Sequence, residues 1–320
     1  MKKLQMYPNR ELRIFEKEHE GFCSNCKRKI IDDETVYVGY DSECKYAAVC
    51  EDCKSVVKSL ILKRVHKDKE YKTPEPSTRL WKFMDLSKFL SLIQKSELYF
   101  RRADCFEDPY EGAKGIRKKE TEWDNAYKKF LVEAVKSTRQ FTGKDVPDEE
   151  AHNQSLKLLN QLKEHSKKIR TKSFVCCWHA NEYESEAMWN LYTSDSKQGI
   201  AIQTTYNKLY LALDRDPDIY TGHVNYIDFN KQFASFNNSL FYKRYSFAHE
   251  NEVRSIIHDF DISEQTTGIY KSINLDYLIE NIYVSPTSPP WFYEVVDNIL
   301  NQYGIKKQLL QSSLNEEPFY

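Results

Sequence analysis

The sequence predicts an α+β protein in which a mixed or antiparallel sheet carries flanking helices and an inserted helical hairpin, after a small N-terminal zinc-binding module. Short apolar runs with strand-like spacing alternate with longer segments whose apolar residues recur at helical intervals. Two C-x2-C pairs lie near the N-terminus, and 40% of the 320 residues are hydrophobic. Because that apolar content suffices for a core, a disordered or fibrous chain is excluded.

The cysteine pairs that define the module are Cys23, Cys26, Cys50 and Cys53. Each pair lets two thiolates point at one ion, as a tetrahedral four-thiolate zinc site requires. A segment of about 70 residues with few apolar groups needs such an ion in order to fold. Because four thiolates leave no coordination position for water, we expect the zinc to be structural and not catalytic.

The segment around these cysteines resembles a zinc ribbon or a treble-clef finger. A strand is predicted at 35–40, and the second cysteine pair opens a helix predicted at 51–64. Cys44 lies outside the C-x2-C spacing, and we expect it to be a spare cysteine that does not replace a ligand. The partner of the module is either nucleic acid or a protein.

A polar stretch at 67–79 contains Pro74 and Pro76 and lacks apolar periodicity, which predicts a linker with a domain boundary near Glu75. Residues 1–75 are therefore interpreted as the zinc-binding module and its linker. Residues 76–320 are interpreted as the α+β main domain.

The main domain begins with a strand predicted at 80–83, a helix at 85–96 capped by Asp85, and a strand at 97–101. The Asp-Pro and Gly residues of 106–112 predict a turn. Two strongly charged helices follow, at 118–141 and 148–170, and form a helical insertion of about 114–172. The remaining strands are predicted at 174–178, 199–203, 220–226, 252–257, 269–273 and 282–284, and the remaining helices at 185–192, 228–241 and 290–303.

Charge is distributed unevenly along the chain, although the formal net charge is only -1. Residues 1–172 hold 37 Lys and Arg against 29 Asp and Glu, whereas residues 173–320 hold 10 against 19. A basic N-terminal half can face a polyanion, so nucleic acid is one predicted partner. Contact between the two halves, or ordinary solvated faces, would produce the same pattern.

The sequence has no run of about 18 apolar residues and no apolar segment after its basic first residues. We therefore expect a cytoplasmic protein with no membrane partner. In that reducing compartment, the eight cysteines favour metal or thiol roles over disulfides.

Three clusters carry the candidate chemistry: the turn FEDPYEG at 106–112, Trp178 and His179 with the segment 184–192, and Lys243 with the segment 250–254. If 250–254 is a strand, then Glu250, Glu252 and Arg254 share one face. Carboxylates clustered on a buried strand are unfavourable unless they are paired or used in chemistry. The alternative is a structural salt bridge between Arg254 and one glutamate.

From about residue 80 to residue 314, the order of these motifs resembles the bacterial family catalogued as domain of unknown function 2971. Members of that family often occur in mobile or phage-defence contexts, so the resemblance implies an effector role in phage defence. The residues that match its F-x-D-P-x-E-G turn, its M-W-x-x-Y helix and its Lys followed by E-x-E-x-R are Phe106, Asp108, Pro109, Glu111 and Gly112, then Met188, Trp189 and Tyr192, then Lys243, Glu250, Glu252 and Arg254.

The E-x-E of the last motif resembles the last motif of the ADP-ribosyltransferase superfamily, which implies an ADP-ribosyltransferase-like enzyme or an NAD glycohydrolase that uses NAD+. By this resemblance Glu252 holds the nicotinamide ribose and stabilises the oxocarbenium-like charge, while Glu250 positions the acceptor. The other expected contacts are stacking on nicotinamide by Trp189 or Tyr192, and binding of the diphosphate by Arg101, Arg102 or Lys243.

A second hypothesis is a zinc-containing nucleic-acid-binding protein or a Mg²⁺-dependent nuclease. Carboxylate oxygens suit Mg²⁺, and a lysine can stabilise the scissile phosphate. The residues of that hydrolytic cluster would be Asp108, Glu111, Glu250, Glu252 and Lys243. An interaction scaffold without catalysis is a third hypothesis.

Overall fold

A computed structural model describes residues 20–30, 36–40, 46–54, 63–65, 71–137, 145–193, 198–235 and 238–320. The predicted α+β class is confirmed, because a mixed sheet of nine strands in the described residues is flanked by helices. No helix in this part of the chain is long and apolar enough to cross a lipid bilayer.

The N-terminal region contains a small antiparallel sheet of three strands, β1 (Val36–Tyr40), β2 (Tyr46–Val49) and β3 (Lys63–Val65), in the order β2-β1-β3. The helix predicted at 51–64 is wrong at both of its described ends. The first residues of that range form a 3-10 turn, Glu51–Cys53, because the Cys53 N–H donates a hydrogen bond to the Cys50 carbonyl at 3.1 Å. The last two residues of the range belong to β3, which pairs with β1. Residues 55–62, like Cys44, lie outside the described residues.

The main sheet has the strand order β12-β5-β6-β4-β7-β13-β14, with β11 beside β6 and β8 beside β11. Its neighbours are antiparallel except for β13 and β14. A separate parallel pair joins β9 and β10. The strands are β4 (Arg79–Asp85), β5 (Glu97–Arg102), β6 (Ser173–Ala180), β7 (Gly199–Thr205), β8 (Ile219–His223), β9 (Asn225–Ile227), β10 (Tyr242–Arg244), β11 (Glu252–His258), β12 (Gly268–Ser272), β13 (Asn281–Val284) and β14 (Gln308–Gln311).

Helices cover both faces of this sheet and bury its apolar side chains. One core contains Phe89, Leu209, Phe292 and the Trp178 side chain of β6, and a smaller core contains Phe83. The side chain of Asp85 caps the first helix by accepting a hydrogen bond from the Lys88 N–H at 2.8 Å. The helices are α1 (Leu86–Lys95), α2 (Glu120–Ser137), α3 (Asp148–Thr171), α4 (Glu186–Thr193), α5 (Tyr206–Ala212), α6 (Leu275–Leu278) and α7 (Pro290–Gln302).

The predicted helical hairpin is formed by α2 and α3, which lie in sequence between β5 and β6. Its own small core contains Trp123 and Leu131 of α2 and Leu159 of α3. The remaining surface of both helices is mostly polar, as the charged sequence requires of a helix that faces water on most sides. The exceptions include the exposed side chains of Phe130, Leu156 and Leu158.

The helix predicted at 228–241 is wrong. Residues 228–231 form a turn, closed by a 2.8 Å bond from the Lys231 N–H to the Asp228 carbonyl, and Ser239–Phe241 is a 3-10 turn. The apolar side chains of this segment enter three different clusters, since Phe229 packs with Ile227, Phe233 joins the hairpin core, and Phe241 stacks on Tyr71. A helix would have placed them on one stripe.

Strand β6 lies at the point where the main sheet divides. One edge pairs with β11 over its length, from Ser173 to His179. The other edge pairs with β5 only at Phe174 and Val175 and with β4 only at His179 and Ala180. Residues 176–178 have no strand partner on that edge, and the Lys82 ammonium donates to the Cys177 carbonyl at 3.1 Å in place of one. The division leaves room for a cavity beside β6.

Candidate functional site

The four cysteines of the two C-x2-C pairs form a tight cluster that can hold a metal ion. Their sulfur atoms all lie within 4.8 Å of one another, and none of the four is in a disulfide. The Cys26 and Cys50 sulfurs are 3.8 Å apart. Tetrahedral zinc with Zn–S bonds of about 2.3 Å requires sulfurs about 3.8 Å apart, so the spacing fits this ion.

The environment of Cys23 favours a thiolate, whereas at Cys53 a hydrogen bond from Asn25 is outweighed by burial and by hydrogen bonds with the other cysteines, which raise its pKa to about 11. Although burial opposes the ionisation of Cys23, hydrogen bonds from the backbone N–H groups of Cys50, Cys26 and Asn25 lower the pKa of the Cys23 thiol to about 7. The Asn25 side chain donates to the Cys53 sulfur at 3.3 Å. Donors aimed at the sulfurs from outside the cluster stabilise negative charge on ligands of a metal.

A second cluster lies in the main domain and contains five buried charged side chains. Arg254, which is 1% exposed, is its centre. Its guanidinium donates two parallel bonds to Glu111, at 2.6 and 2.7 Å, and its Nε donates to Glu252 at 2.7 Å. The Leu240 carbonyl accepts a further bond at 2.8 Å. We call Glu111, Lys243, Glu250, Glu252 and Arg254 the glutamate cluster.

Lys243 supplies the second cation of the glutamate cluster. Its ammonium lies 2.5 Å from a Glu250 oxygen, 3.5 Å from Glu252 and 3.7 Å from Glu111. The Phe247 ring covers the ammonium, with its centroid 4.6 Å away. All five side chains are less than one-tenth exposed, so these contacts take place largely without water.

The cluster contains three carboxyls and only two cations, and the surplus is resolved by one proton. Burial, followed by the hydrogen bond with Glu252 and by the charge of Glu252, raises the pKa of the Glu250 carboxyl to about 7. Burial opposes the ionisation of Glu252 as well, but the charges of Arg254 and Lys243 lower its pKa to about 2. Near pH 7 the cluster therefore holds an ionised carboxylate beside a carboxyl that exchanges its proton.

The FEDPYEG turn places Glu111 in this cluster. Asp108 accepts a bond from the Tyr110 N–H at 3.1 Å and is bound by the Arg244 guanidinium at 2.8 Å, which fixes the turn. Gly112 follows with a φ of +72°, and a Cβ there would meet Leu240 at 3.0 Å and Arg170 at 3.1 Å. The glycine of the motif thus follows from its left-handed backbone and its close neighbours.

The prediction that residues 250, 252 and 254 share one strand face is wrong for Glu250. Strand β11 begins at Glu252, whereas Glu250 ends the 3-10 turn Tyr245–Glu250. Asn251 between them has a φ of 37°, and this left-handed residue turns the chain so that the Glu250 side chain still reaches the cluster. The three side chains meet through a turn and not through strand alternation.

A cavity of about 500 Å³ opens beside the glutamate cluster, where β4 and β5 diverge from β6. Its walls include the rings of Phe83, Phe106, Trp178 and Tyr192, together with the Glu252 side chain. This volume lies in the range of about 300–1,000 Å³ that is typical of small-molecule sites, and aromatic walls suit a flat ring.

His179 lines the same cavity, and only one of its two ring nitrogens is hydrogen-bonded within the described residues. Its Nδ1 lies 2.6 Å from the Glu250 carbonyl, which can only accept, so Nδ1 carries the proton. Burial lowers the pKa of this histidine, so the ring is neutral near pH 7. Its Nε2 is buried without a hydrogen-bond partner among the described residues, and it can accept a bond from a ligand.

The other predicted site residues divide into two groups. Tyr192 and Arg101 line the cavity. Trp189 is 1% exposed, donates its indole N–H to Glu184 at 3.0 Å and does not line the cavity. Arg102 is bound to Asp104 at 2.6 Å and to the carbonyls of Glu264 and Thr266. Asp108 is bound to Arg244, outside the glutamate cluster.

Sequence reasoning did not single out Lys82 or Tyr226, and it placed His179 in a candidate cluster without a specific role, although all three adjoin the site. His179 pairs with Glu252 across β6 and β11, and Tyr226 accepts a hydrogen bond from the Glu252 N–H at 2.8 Å. A histidine beside a tryptophan in an apolar strand was visible in the sequence, but its neighbour on β11 is 73 positions away.

Comparisons with protein-family models, with curated proteins and with solved structures find no match for this chain. The resemblance to the domain of unknown function 2971 family therefore stays a prediction that rests on the residues of its three motifs.

Proposed function

We propose that the protein is an enzyme that uses NAD+ as a substrate and cleaves the bond between nicotinamide and ribose, with transfer of ADP-ribose to an acceptor or to water. The observation that carries this proposal is the position of Glu252. Its carboxylate is held ionised by Arg254 and Lys243, and it borders a cavity of about 500 Å³ with aromatic walls.

A fixed carboxylate in a partly water-excluded site stabilises positive charge as it develops on a sugar ring. When the glycosidic bond breaks, its electron pair leaves with nicotinamide and the cationic charge forms on the ribose. Glu252 is suited to stabilise that charge, and Arg254 and Glu111 hold the Glu252 side chain in position.

Glu250 is suited to accept the proton of the attacking hydroxyl or water. A general base works best with a pKa near the working pH, and the pKa of Glu250 is about 7. Tyr192 and Phe83 offer faces for a planar ring in the cavity, and Arg101 at its edge offers a cation for a diphosphate.

The Mg²⁺-dependent nuclease has less support from this geometry. Both Glu111 oxygens accept bonds from Arg254, and Glu250 and Glu252 are each bound to a cation. Among the described residues, the four cysteines are the only group of three or more suitable side chains with ligand atoms close enough to hold a metal ion.

The test is release of nicotinamide from NAD+ by the purified protein, measured by liquid chromatography with and without added DNA or RNA. We expect release by the parent and a loss of at least about 100-fold in Glu252→Gln, since removal of one charge-stabilising group costs about 100- to 1,000-fold. Glu280→Gln is the matched control, because Glu280 pairs with Lys208 at 3.1 Å and does not line the cavity.

A second pair of variants tests the proposal even if Glu252→Gln fails to fold. Tyr192 is 42% exposed and lines the cavity, whereas its neighbour Leu191 is 55% exposed and does not. We expect Tyr192→Ala to raise the KM for NAD+ and Leu191→Ala to leave it unchanged. Absence of nicotinamide release by the parent under every condition would refute the proposal, and Mg²⁺-dependent cleavage of nucleic acid would then favour the nuclease.

We also propose that the ion at Cys23, Cys26, Cys50 and Cys53 is zinc with a structural role. The 3.8 Å distance between the Cys26 and Cys50 sulfurs supports it. Metal analysis by mass spectrometry should find about one zinc per chain in the parent and in Cys105→Ser, and a loss of zinc in Cys26→Ser and Cys53→Ser. Equal zinc content in all four proteins would contradict this assignment.

A further inference from the structure

A second cavity, of about 1010 Å³, opens between the start of the helical hairpin and the pair β9 and β10. Four of its side chains are cationic and one is anionic. We call it the basic groove, defined by Arg117, Lys118, Lys231, Arg244 and Asp228 together with the aromatic side chains Tyr110, Tyr226, Phe229 and Tyr245. Such a balance of charge favours a polyanion as ligand.

Three of the four cations of the basic groove are exposed, whereas Arg244 is bound to Asp108 at 2.8 Å. Arg117 is 94% exposed and lies 3.2 Å from Glu120, while Lys231 is 83% exposed and lies 3.8 Å from Asp228. Exposed pairs of this kind contribute about 0–1 kcal/mol, so a phosphate can replace the carboxylate at little cost. Lys118 is exposed as well.

The groove continues into a cavity of about 530 Å³ along the hairpin, which shares Ile116 and Arg117 with it. Lys163 and Lys167 of α3 line this extension. Trp123 also lines it, and the buried indole N–H of this residue has no hydrogen-bond partner among the described residues. A phosphate or base oxygen would satisfy it.

Aromatic rings stand among these cations. Tyr245 is 70% exposed, so its ring is accessible to a base. The Arg244 guanidinium lies 4.6 Å from the centre of the Tyr110 ring, so a stacked pair of a cation and an aromatic ring also faces the groove. Cations interleaved with aromatic faces are typical of sites that bind single strands, because phosphates contact the cations and unpaired bases stack on the rings.

The basic groove also adjoins the glutamate cluster. Arg244 of the groove follows Lys243 of the cluster in β10. Tyr226 lines the groove, and its hydroxyl accepts the hydrogen bond from the Glu252 N–H. Glu252 itself lines the other cavity, and this residue is linked to the groove through the hydrogen bond from its backbone N–H to Tyr226.

We infer that the basic groove binds single-stranded nucleic acid and presents it as the acceptor of ADP-ribose. The acceptor role rests on the proposed function. In that reaction a hydroxyl or amine of the nucleic acid forms a bond to the anomeric carbon of the ribose, nicotinamide leaves with the electron pair of the broken bond, and the proton of the acceptor passes to Glu250.

Binding is tested with a fluorescein-labelled single-stranded oligonucleotide of about twelve nucleotides, as DNA and as RNA, by fluorescence anisotropy. With about four phosphate contacts, affinity should fall about 50-fold between about 50 and 200 mM salt. Arg117→Glu with Lys118→Glu should flatten that dependence, and Tyr245→Ala should weaken binding about 10-fold or more through lost stacking.

The controls lie on the same hairpin but outside the groove. Lys129 is an exposed lysine of α2, and Phe130 is 64% exposed. Lys129→Glu and Phe130→Ala should bind as the parent does. Absence of binding at low salt would overturn the inference. So would an equal loss in the groove and control variants, or displacement by inorganic tripolyphosphate combined with no effect of Tyr245→Ala, which would identify a polyphosphate site.

The acceptor role is tested by mass spectrometry of the oligonucleotide after incubation with NAD+. A mass increase of one ADP-ribose, absent in Glu252→Gln, is expected. NAD+ consumption without binding or modification of the oligonucleotide would overturn the inference and leave the proposed function intact. Binding without NAD+ consumption would refute the proposed function and the acceptor role together, but it would support the binding of nucleic acid in the basic groove.

Discussion

The cysteine cluster and the glutamate cluster both concentrate groups that repel one another when ionised, but they resolve the repulsion differently. The glutamate cluster contains its own cations, because Lys243 and Arg254 lie among its three carboxyls. The four cysteines are close enough to hold one metal ion, and the cation would come from solution. The charges of the glutamate cluster are thus balanced by side chains of the chain itself, whereas those of the N-terminal module would be balanced by a bound ion.

The largest effect should follow removal of the metal. A structural zinc contributes about 10–16 kcal/mol to the folding of small cysteine-rich modules, so chelation should unfold the N-terminal module. Trp81, Trp123, Trp178, Trp189 and Trp291 are the five tryptophans, and all follow residue 75. We therefore expect thiol reactivity to rise sharply on chelation while tryptophan fluorescence stays unchanged. A parallel change in fluorescence would show that the main domain also needs the metal.

The next largest effect concerns the internal cations. Arg254→Met leaves Glu111 and Glu252 buried without their main partner, which should cost about 3–5 kcal/mol of unfolding free energy in urea titrations. The double variant Glu111→Met with Arg254→Met removes both charges, and we expect it to recover a large part of that loss. If the two variants are equally destabilised, lost packing and not the unpaired charge is responsible.

A smaller effect concerns the turn that carries Glu111. Ala at position 112 would need a left-handed backbone and would meet Leu240 and Arg170, so Gly112→Ala should cost about 2–3 kcal/mol. Gly304 has a φ of +66° with open space around it, so Gly304→Ala should cost only about 1 kcal/mol. Equal midpoints in urea for the two variants would contradict the crowding at Gly112.

A further effect should be seen in the pH dependence. The pKa of Glu250 is raised from 4.5 to about 7, so the folded state binds its proton more tightly than the unfolded state. The contribution of this carboxyl to stability is therefore full below about pH 4.5 and is lost as the pH rises to about 7. Between about pH 4.5 and pH 7, the melting temperature of the parent should fall relative to that of Glu250→Gln as the pH rises. If the two melting temperatures change in parallel, the raised pKa of Glu250 is refuted.

The fold class was predictable because strand-like runs and helical spacing dominate most of the main domain. Helix α7, for example, begins at Pro290 and buries Phe292, Val296 and Leu300 at helical intervals. The segment 228–241 has a similar spacing, but its side chains enter separate clusters that only the tertiary structure defines. The spacing of apolar residues along the sequence does not reveal whether their side chains pack into one cluster or into several.

The candidate site was predictable in composition but not in geometry. The residues Lys243, Glu250, Glu252 and Arg254 were evident from their proximity in sequence. The bidentate pair of Arg254 with Glu111 joins residues 143 positions apart, and the sequence offers no spacing rule for such a contact. The strand predicted at 252–257 is confirmed at its start, but the shared strand face of Glu250 held only if 250–254 were a strand, and the left-handed turn at Asn251 is visible only in the backbone.

The lysine that bridges the divided sheet has a consequence for how the cavity can vary. Strands β4 and β6 are parted beside Cys177, and one flexible side chain, Lys82, takes the hydrogen bond that a neighbouring strand would otherwise make. When two strands are joined by backbone hydrogen bonds, the distance between them changes only if a whole strand moves. A single long side chain can instead be replaced by a shorter, longer or different one. The width of this opening is therefore adjustable by point substitution, and ligand preference can diverge without any change in the architecture of the sheet.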